Sequence, residues 1–269
     1  MDKEKLNKAL AGKLSESTYR DSEFGEYHPS TISGCPVMAV LDRMIGSEFV
    51  MNSYTFAGSA VHYYLQETGI LTDALYDAGY HPLYTEYEVH TRKRITDGIY
   101  ITGTCDVLCD NGDKTTIFDL KYSSLKPEYA QGRVMQYFSQ VNTYSYMFDA
   151  DEMALWLISS NERDNLPKNG LTLLTGTPQE DNWEVVKNKA KQIHKTLEML
   201  GYDEGRRITE SEAKEYDKSD WEDMFKHINL EYAPSYDKEH KYCDHKEYCP
   251  ICNDVFATGM EGFVANNGA

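Results

Sequence analysis

Apolar residues recur at helical spacing in some parts of the chain and alternate in others, and that contrast predicts a mixed architecture. Val61, Leu65, Leu71 and Leu75 fall at intervals that place them along one helix, predicted over about Thr55–Ala78. A short polar helix is expected at Glu4–Leu14, and Pro36 suits the first turn of an apolar helix through Val37–Met44. From Leu83 onward the pattern changes to alternating, β-branched and aromatic segments: YTEYEVHT, GIYITGTCDVL and TTIFDLKY. Asn111-Gly112 separates the last two and is a strong hairpin signal. Tyr129–Asp149 then reads as a helix, MALWLISS as a buried strand, and Gln179–Leu200 as a long charged helix opened by Thr177-Pro178. The expected fold class is α/β, with a central mixed β-sheet flanked by helices.

The tail has another character. Glu, Asp and Tyr dominate residues 208–238, and three cysteines follow within ten residues. We therefore expect an N-terminal helical segment (1–30), a core (31–202) and an acidic C-terminal lobe with a cysteine cluster (203–269). The stretch of polar and charged residues at the start has no apolar signal-peptide core, and no apolar run approaches the roughly 20 residues of a membrane span. A cytoplasmic protein without a membrane partner is the expectation. Six cysteines in a reducing compartment point to metal binding rather than disulfides.

With 27 Lys plus Arg against 44 Asp plus Glu, the formal charge is −17 over 269 residues. That argues against a nucleic-acid partner only weakly, because a phosphate backbone meets the local field of a groove and not the whole-chain charge.

The hairpin carries the chemistry. A two-residue turn at Asn111-Gly112 puts Asp106 opposite Ile117 and Thr104 opposite Asp119. Asp106 and Asp119 are then diagonal neighbours on one face, about 7–8 Å apart. Lys121, two residues beyond Asp119, points to that same face. Val107, Phe118, Leu120 and Cys105 take the opposite face, where Cys105 and Cys109 read as small buried hydrophobes. Two carboxylates so placed suit a hard divalent ion such as Mg²⁺ or Mn²⁺. Such an ion polarises a phosphoryl oxygen and acidifies a bound water, while a lysine stabilises developing charge. The bland alternative is an exposed cross-strand ion pair. The apolar neighbours Ile117, Phe118 and Leu120 weigh against it, because charges inside a strand that reads as buried need a reason.

Gly103-Thr-Cys-Asp106 and Asp119-Leu-Lys121 resemble motifs of the PD-(D/E)XK nuclease superfamily, in particular its RecB-like exonuclease branch. Gly58-Ser-Ala-Val-His62 upstream and Gln140-Val-Asn-Thr-Tyr144 downstream resemble two further motifs of that branch, in the family's order. The resemblance covers about residues 31–150 and implies a restriction-endonuclease-like core. It implies that His62, Asp106 and Asp119, with the main-chain carbonyl of Leu120, hold the metal. Lys121 becomes the catalytic base or charge stabiliser, and Gln140 and Tyr144 position the DNA.

Cys35 in Ser33-Gly-Cys-Pro, together with Cys243, Cys249 and Cys252, resembles the ligand set of the iron–sulfur members, which implies a 4Fe–4S cluster closing the lobe onto Cys35. The spacing departs from the family: CDHKEYCPIC places its five-residue gap before its two-residue gap. Zinc is the alternative, with His240 and His245 available among the cysteines.

Lys121, Lys126 and Arg133 lie near the proposed site in sequence, and Tyr122, Tyr129 and Tyr137 are candidates for stacking on unpaired bases. Lys187, Lys189, Lys191 and Lys195 read as a solvated helix face accompanied by Glu184 and Glu198. The leading expectation is a metal-dependent DNA exonuclease acting on single strands or DNA ends. A compact chain without helicase motifs would suit a phage. The competing expectation is a catalytically silent nuclease-fold module with protein partners at its acidic lobe. An acidic DNA mimic is the third, and an ordered His, Asp and Asp-x-Lys set counts against it.

Overall fold

The computed structural model describes residues 5, 23–46, 53–85, 90–123, 131–160, 170–232, 243 and 245–252. The expected helix at 4–14, apart from Lys5, lies outside them, as do Lys126, Tyr129, His240 and the side chain of Arg133. Along the chain run β1 (Glu26–Tyr27), α1 (Pro29–Ile32), α2 (Pro36–Met44), α3 (Ser53–Glu67), α4 (Ile70–Asp77), β2 (His81–Thr85) and β3 (Thr91–Thr96). After these come β4 (Ile99–Gly103), β5 (Val107–Asp110), β6 (Thr115–Ser123), α5 (Gln131–Phe148), β7 (Glu152–Ser159) and β8 (Leu171–Gly176). The last helices are α6 (Glu180–Met199), α7 (Glu210–Glu215) and α8 (Lys218–Met224). The chain divides into two compact units, one of residues 1–29, 48–94 and 100–183, the other of residues 30–47, 95–99 and 184–269.

The first unit is organised by a five-stranded sheet in the order β2-β5-β6-β7-β8. All its pairs are antiparallel except β6–β7, whose parallel crossover contains α5. This is the expected mixed sheet. Strand β6 is central and its residues Thr116–Leu120 are all buried, so both its faces must be covered. Phe118 and Leu120 join Val107, Cys109, Ala154 and Ile158 in a core packed by Leu71 and Leu75 of α4, with Val61 and Leu65 of α3 beside it. The expected long helix over Thr55–Ala78 is two helices. Gly69, at φ 76°, turns the chain left-handed between them, a conformation that glycine adopts without strain. The expected strand GIYITGTCDVL is likewise two: β4 pairs with β1 and β3 in a three-stranded sheet, while β5 pairs with β2 and β6.

The hairpin register also differs from expectation. Ile117 faces Leu108 and Phe118 faces Val107, a slip of two residues. The turn is a four-residue loop closed by a bond from the Asn111 N–H to the Lys114 carbonyl at 3.1 Å. The Asn111 side chain accepts from the Asp113 and Lys114 amides, and the Asp110 carboxylate accepts from the Gly112 amide. These side-chain bonds to the backbone supply a wider turn than the two-residue type. A slip of one would have reversed every side chain; a slip of two leaves each on its expected face.

The second unit is helical. Val186, Ala190, Ile193 and Leu197 form the buried stripe of α6, and Val37, Val40, Leu41 and Met44 are buried on α2. The Ile208 N–H donates to the Met44 carbonyl at 2.8 Å. Several acids of the tail serve its helices: Thr209 with Glu212 and Asp217 with Asp220 form capping boxes at α7 and α8.

Candidate functional site

Strand β5 begins at Val107, and one residue before it Asp106 turns its carboxylate toward β6. Asp106 Oδ2 accepts the N–H of Leu120 at 2.5 Å, in the position a continuing β5 would have bonded. The N–H and C=O of one strand residue point to the same edge, so the Leu120 carbonyl also faces the Asp106 side. The other oxygen, Asp106 Oδ1, lies 3.7 Å from His62 Nδ1 of α3. Asp119 is 1% exposed and its Oδ2 pairs with Lys121 Nζ at 2.6 Å. His62, Asp106, Asp119 and Lys121 thus converge within the first unit.

The electrostatics of this group are those of a site short of positive charge. Burial and then the neighbouring Asp119 push the Asp106 carboxyl up to about 6, against the pull of His62, Lys121 and the Leu120 amide. Lys121 is half-buried, and its desolvation draws its pKa down, but Asp119 and Asp106 outweigh that and hold it above the usual lysine range. The Lys121 ammonium lies 5.8 Å from the Tyr137 ring centroid. Tyr122, by contrast, packs against the core beneath the sheet.

From α5, Tyr144 brings its phenol to the same carboxylates. Burial, then Asp119 and Asp106, raise its pKa, and a hydrogen bond with the Gln140 side chain opposes them. The i, i+4 spacing of Gln140 and Tyr144 makes that bond available on one helical face. Gly103 has a specific role in this packing. A Cβ there would stand 3.1 Å from Pro29 Cδ and 3.4 Å from Tyr144 Cε1. The bare backbone of Gly103 thus leaves room beside β4 for Pro29 above all, and for Tyr144 next to it.

The second unit holds Cys35, Cys243, Cys249 and Cys252. One sulfur from each of Cys243, Cys249 and Cys252 lies within 4.8 Å of the others. Cys35 is the N-cap residue of α2. Burial pushes its thiol up to about 11, the Met38 and Val37 amides pull the other way, and Cys243 adds to the rise. The Cys249 thiol is pushed up to about 12 within its hydrogen bonds to Cys243, which lowers it, and Cys252, which raises it; Cys243 is raised further still, chiefly by Cys249. Thiolates this close repel one another, so three sulfurs so placed suit a bound cation.

Two expectations need correction here. His245 does not offer a nitrogen to zinc: Nε2 lies 2.6 Å from Asp42 Oδ1 and Nδ1 lies 2.7 Å from the Tyr248 hydroxyl. Lys189 does not belong to a solvated face. It is 7% exposed and its Nζ donates to the Gly34 carbonyl at 3.0 Å. Both were hidden in sequence because their partners are distant along the chain, Gly34 and Asp42 lying far before α6 and the cysteine loop.

Comparison with known proteins agrees with this fold. Residues 37–252 match the family model of the PD-(D/E)XK nuclease superfamily. Among solved structures, SSO0001 is similar over 91% of this chain and 96% of its own, with a TM-score of 0.56 and 16% identity, which shows a shared fold. An alkaline exonuclease from Laribacter hongkongensis (LHK-Exo) aligns over 68% of this chain and 94% of its own, at 11% identity and a TM-score of 0.45. A phage-related exonuclease from Haemophilus somnus 129PT aligns over 63% and 79%, at 19% identity and a TM-score of 0.42. No curated protein gives a significant match. No helix among the described residues is long and apolar enough to cross a membrane.

Proposed function

Because this chain belongs to the PD-(D/E)XK nuclease superfamily, we propose that it is a divalent-metal-dependent DNA exonuclease acting on single strands or DNA ends. The observation that carries the reading is the convergence of His62 and Lys121, both half-buried, on the buried carboxylates of Asp106 and Asp119. The donor set fits Mg²⁺ or Mn²⁺: two buried carboxylates, one of them pushed up by burial and by the other, with the Leu120 carbonyl and an imidazole alongside. A bound divalent ion would act there as a Lewis acid toward a phosphoryl oxygen and would acidify a water.

The chain's own groups do the rest. Lys121, protonated at neutral pH beside Asp119 and Asp106, donates to the scissile phosphate and offsets its developing charge. Tyr144, kept protonated by burial and then by the same carboxylates, takes a hydrogen bond from the Gln140 side chain and keeps its own O–H free to orient the strand. The main-chain bond from Leu120 locks the Asp106 carboxylate in place before substrate arrives. The test compares wild type with Asp119→Ala and Lys121→Ala on 5′- and 3′-labelled single- and double-stranded DNA with Mg²⁺ or Mn²⁺. Mononucleotides released from ends by the wild type alone are expected. Undiminished cleavage by both variants overturns the site, and cutting of covalently closed circles overturns the exonuclease reading.

We further propose that Cys35, Cys243, Cys249 and Cys252 hold a metal centre, a 4Fe–4S cluster with four-thiolate zinc as the alternative, closing the C-terminal lobe onto α2. Three mutually close thiols with a fourth electrostatically linked to them support it. Absorption near 400 nm after anaerobic purification is expected for the cluster and absent for zinc (a band position of roughly this wavelength follows from thiolate-bound iron).

A further inference from the structure

Lys189 occupies a position that a helix surface does not explain. Its ammonium is buried inside the second unit and donates to the Gly34 carbonyl, the peptide that immediately precedes Cys35. Among the described residues no carboxylate pairs with it; its other neighbour is the Tyr232 ring, 5.9 Å from Nζ to centroid. A buried cation without an anion is unfavourable, and natural sequences rarely retain one unless something compensates it. Burial draws the Lys189 pKa down to about 8, and negative charge at Cys35 is what opposes that fall. In turn Lys189 is among the groups that favour the Cys35 thiolate.

We propose that Lys189 is the internal counter-cation of the four-thiolate centre formed by Cys35, Cys243, Cys249 and Cys252. Four thiolates around Zn²⁺, or around an oxidised 4Fe–4S core, leave a net charge of about −2 in the protein interior. The ammonium beside Cys35 offsets part of it. The same residue is an uncompensated charge when the metal is gone, so its sign of effect on stability depends on the centre being filled. This inference rests on the four cysteines holding a metal, and the experiment separates the two.

Wild type, Lys189→Met, Lys189→Gln and Lys189→Arg are purified anaerobically, and iron, zinc and sulfide are measured first. Release of metal to a chelator is then timed, and denaturant midpoints are taken with and without metal. Both neutral variants should lose metal on the order of tenfold faster than wild type, the scale of one charge interaction at short range. Lys189→Arg should stay close to wild type. The metal-stripped neutral variants should unfold no earlier than metal-stripped wild type, a result that a merely structural lysine would not give. If the centre contains iron, its midpoint potential should move lower in the neutral variants, because a nearby cation no longer favours the added electron. Equal release rates across all four proteins, or an equal loss of stability with and without metal, overturn the proposal. Wild-type protein without bound metal removes the centre itself and the proposal with it.

Discussion

The carboxylate of Asp106 accepts the Leu120 main-chain N–H at 2.5 Å, replacing a ladder bond just before β5 begins. A side chain thus completes the sheet and is aimed at the site by the same bond. Asp106→Asn keeps an acceptor for that N–H but loses the charge. We expect the variant to fold with a near-native denaturant midpoint and to lose Mn²⁺ binding by calorimetry together with metal-dependent cleavage. Native Mn²⁺ affinity in Asp106→Asn would contradict its assignment as a ligand.

The same residue makes the metal-free protein pH-sensitive. Its folded pKa is raised to about 6 from an ordinary aspartate value near 3.8. The folded state therefore binds the proton more tightly than the unfolded state, and the stability gained is present in full below the lower value and is lost as pH rises through about 6. Metal-free wild type should lose stability relative to Asp106→Asn between about pH 4 and 6.5, measured by urea midpoints across that range. The opposite slope would show that the site already holds compensating positive charge.

Lys121 is held protonated at neutral pH by Asp119 and Asp106. Lys121→Met should reduce single-turnover cleavage by about 10²–10³-fold, the cost of removing one preorganised donor to developing charge. Lys121→Arg, which keeps the charge, should retain more activity than Lys121→Met. Rates equal to wild type in the Met variant would exclude the role.

A methyl group at Gly103 would press on Pro29 and on Tyr144. Gly103→Ala should cost about 1–3 kcal/mol by chemical denaturation, the usual range for overpacking. It should also lower kcat by displacing the Tyr144 phenol. Restored activity in Gly103→Ala combined with a smaller residue at Pro29 would show that the effect is steric.

His245 is 1% exposed and bridges Asp42 on α2 to Tyr248 in the cysteine loop. His245→Ala leaves Asp42 and the Tyr248 hydroxyl without these partners. We expect a loss of about 2–4 kcal/mol in the unfolding of the second unit, typical of breaking a buried polar network. Metal retention by the thiols should fall with it.

The faces of the hairpin were legible from sequence even though its register was not. Period-two alternation fixes which side a residue takes, and the two-residue slip preserved that side for Asp106, Asp119 and Lys121. The loop length escaped because Asp110 and Asn111 bond to the turn's own backbone, which the dipeptide signal at Asn111-Gly112 does not report. Strand β3, TRKRIT, was missed because its alternating residues are basic and polar rather than apolar. Lys189 was misread because its neighbours in sequence are charged, whereas its burial depends on Gly34, 155 positions away.

The second unit gathers residues 30–47, 95–99 and 184–269, and the bond from Lys189 to Gly34 joins its early and late stretches. During synthesis the segment carrying Cys35 leaves the ribosome long before Cys243, Cys249 and Cys252 are made, while every stretch of the first unit is complete by residue 183. A cofactor shared by these four sulfurs could therefore be loaded only once residue 252 has been made, which would put its capture among the last steps of biogenesis.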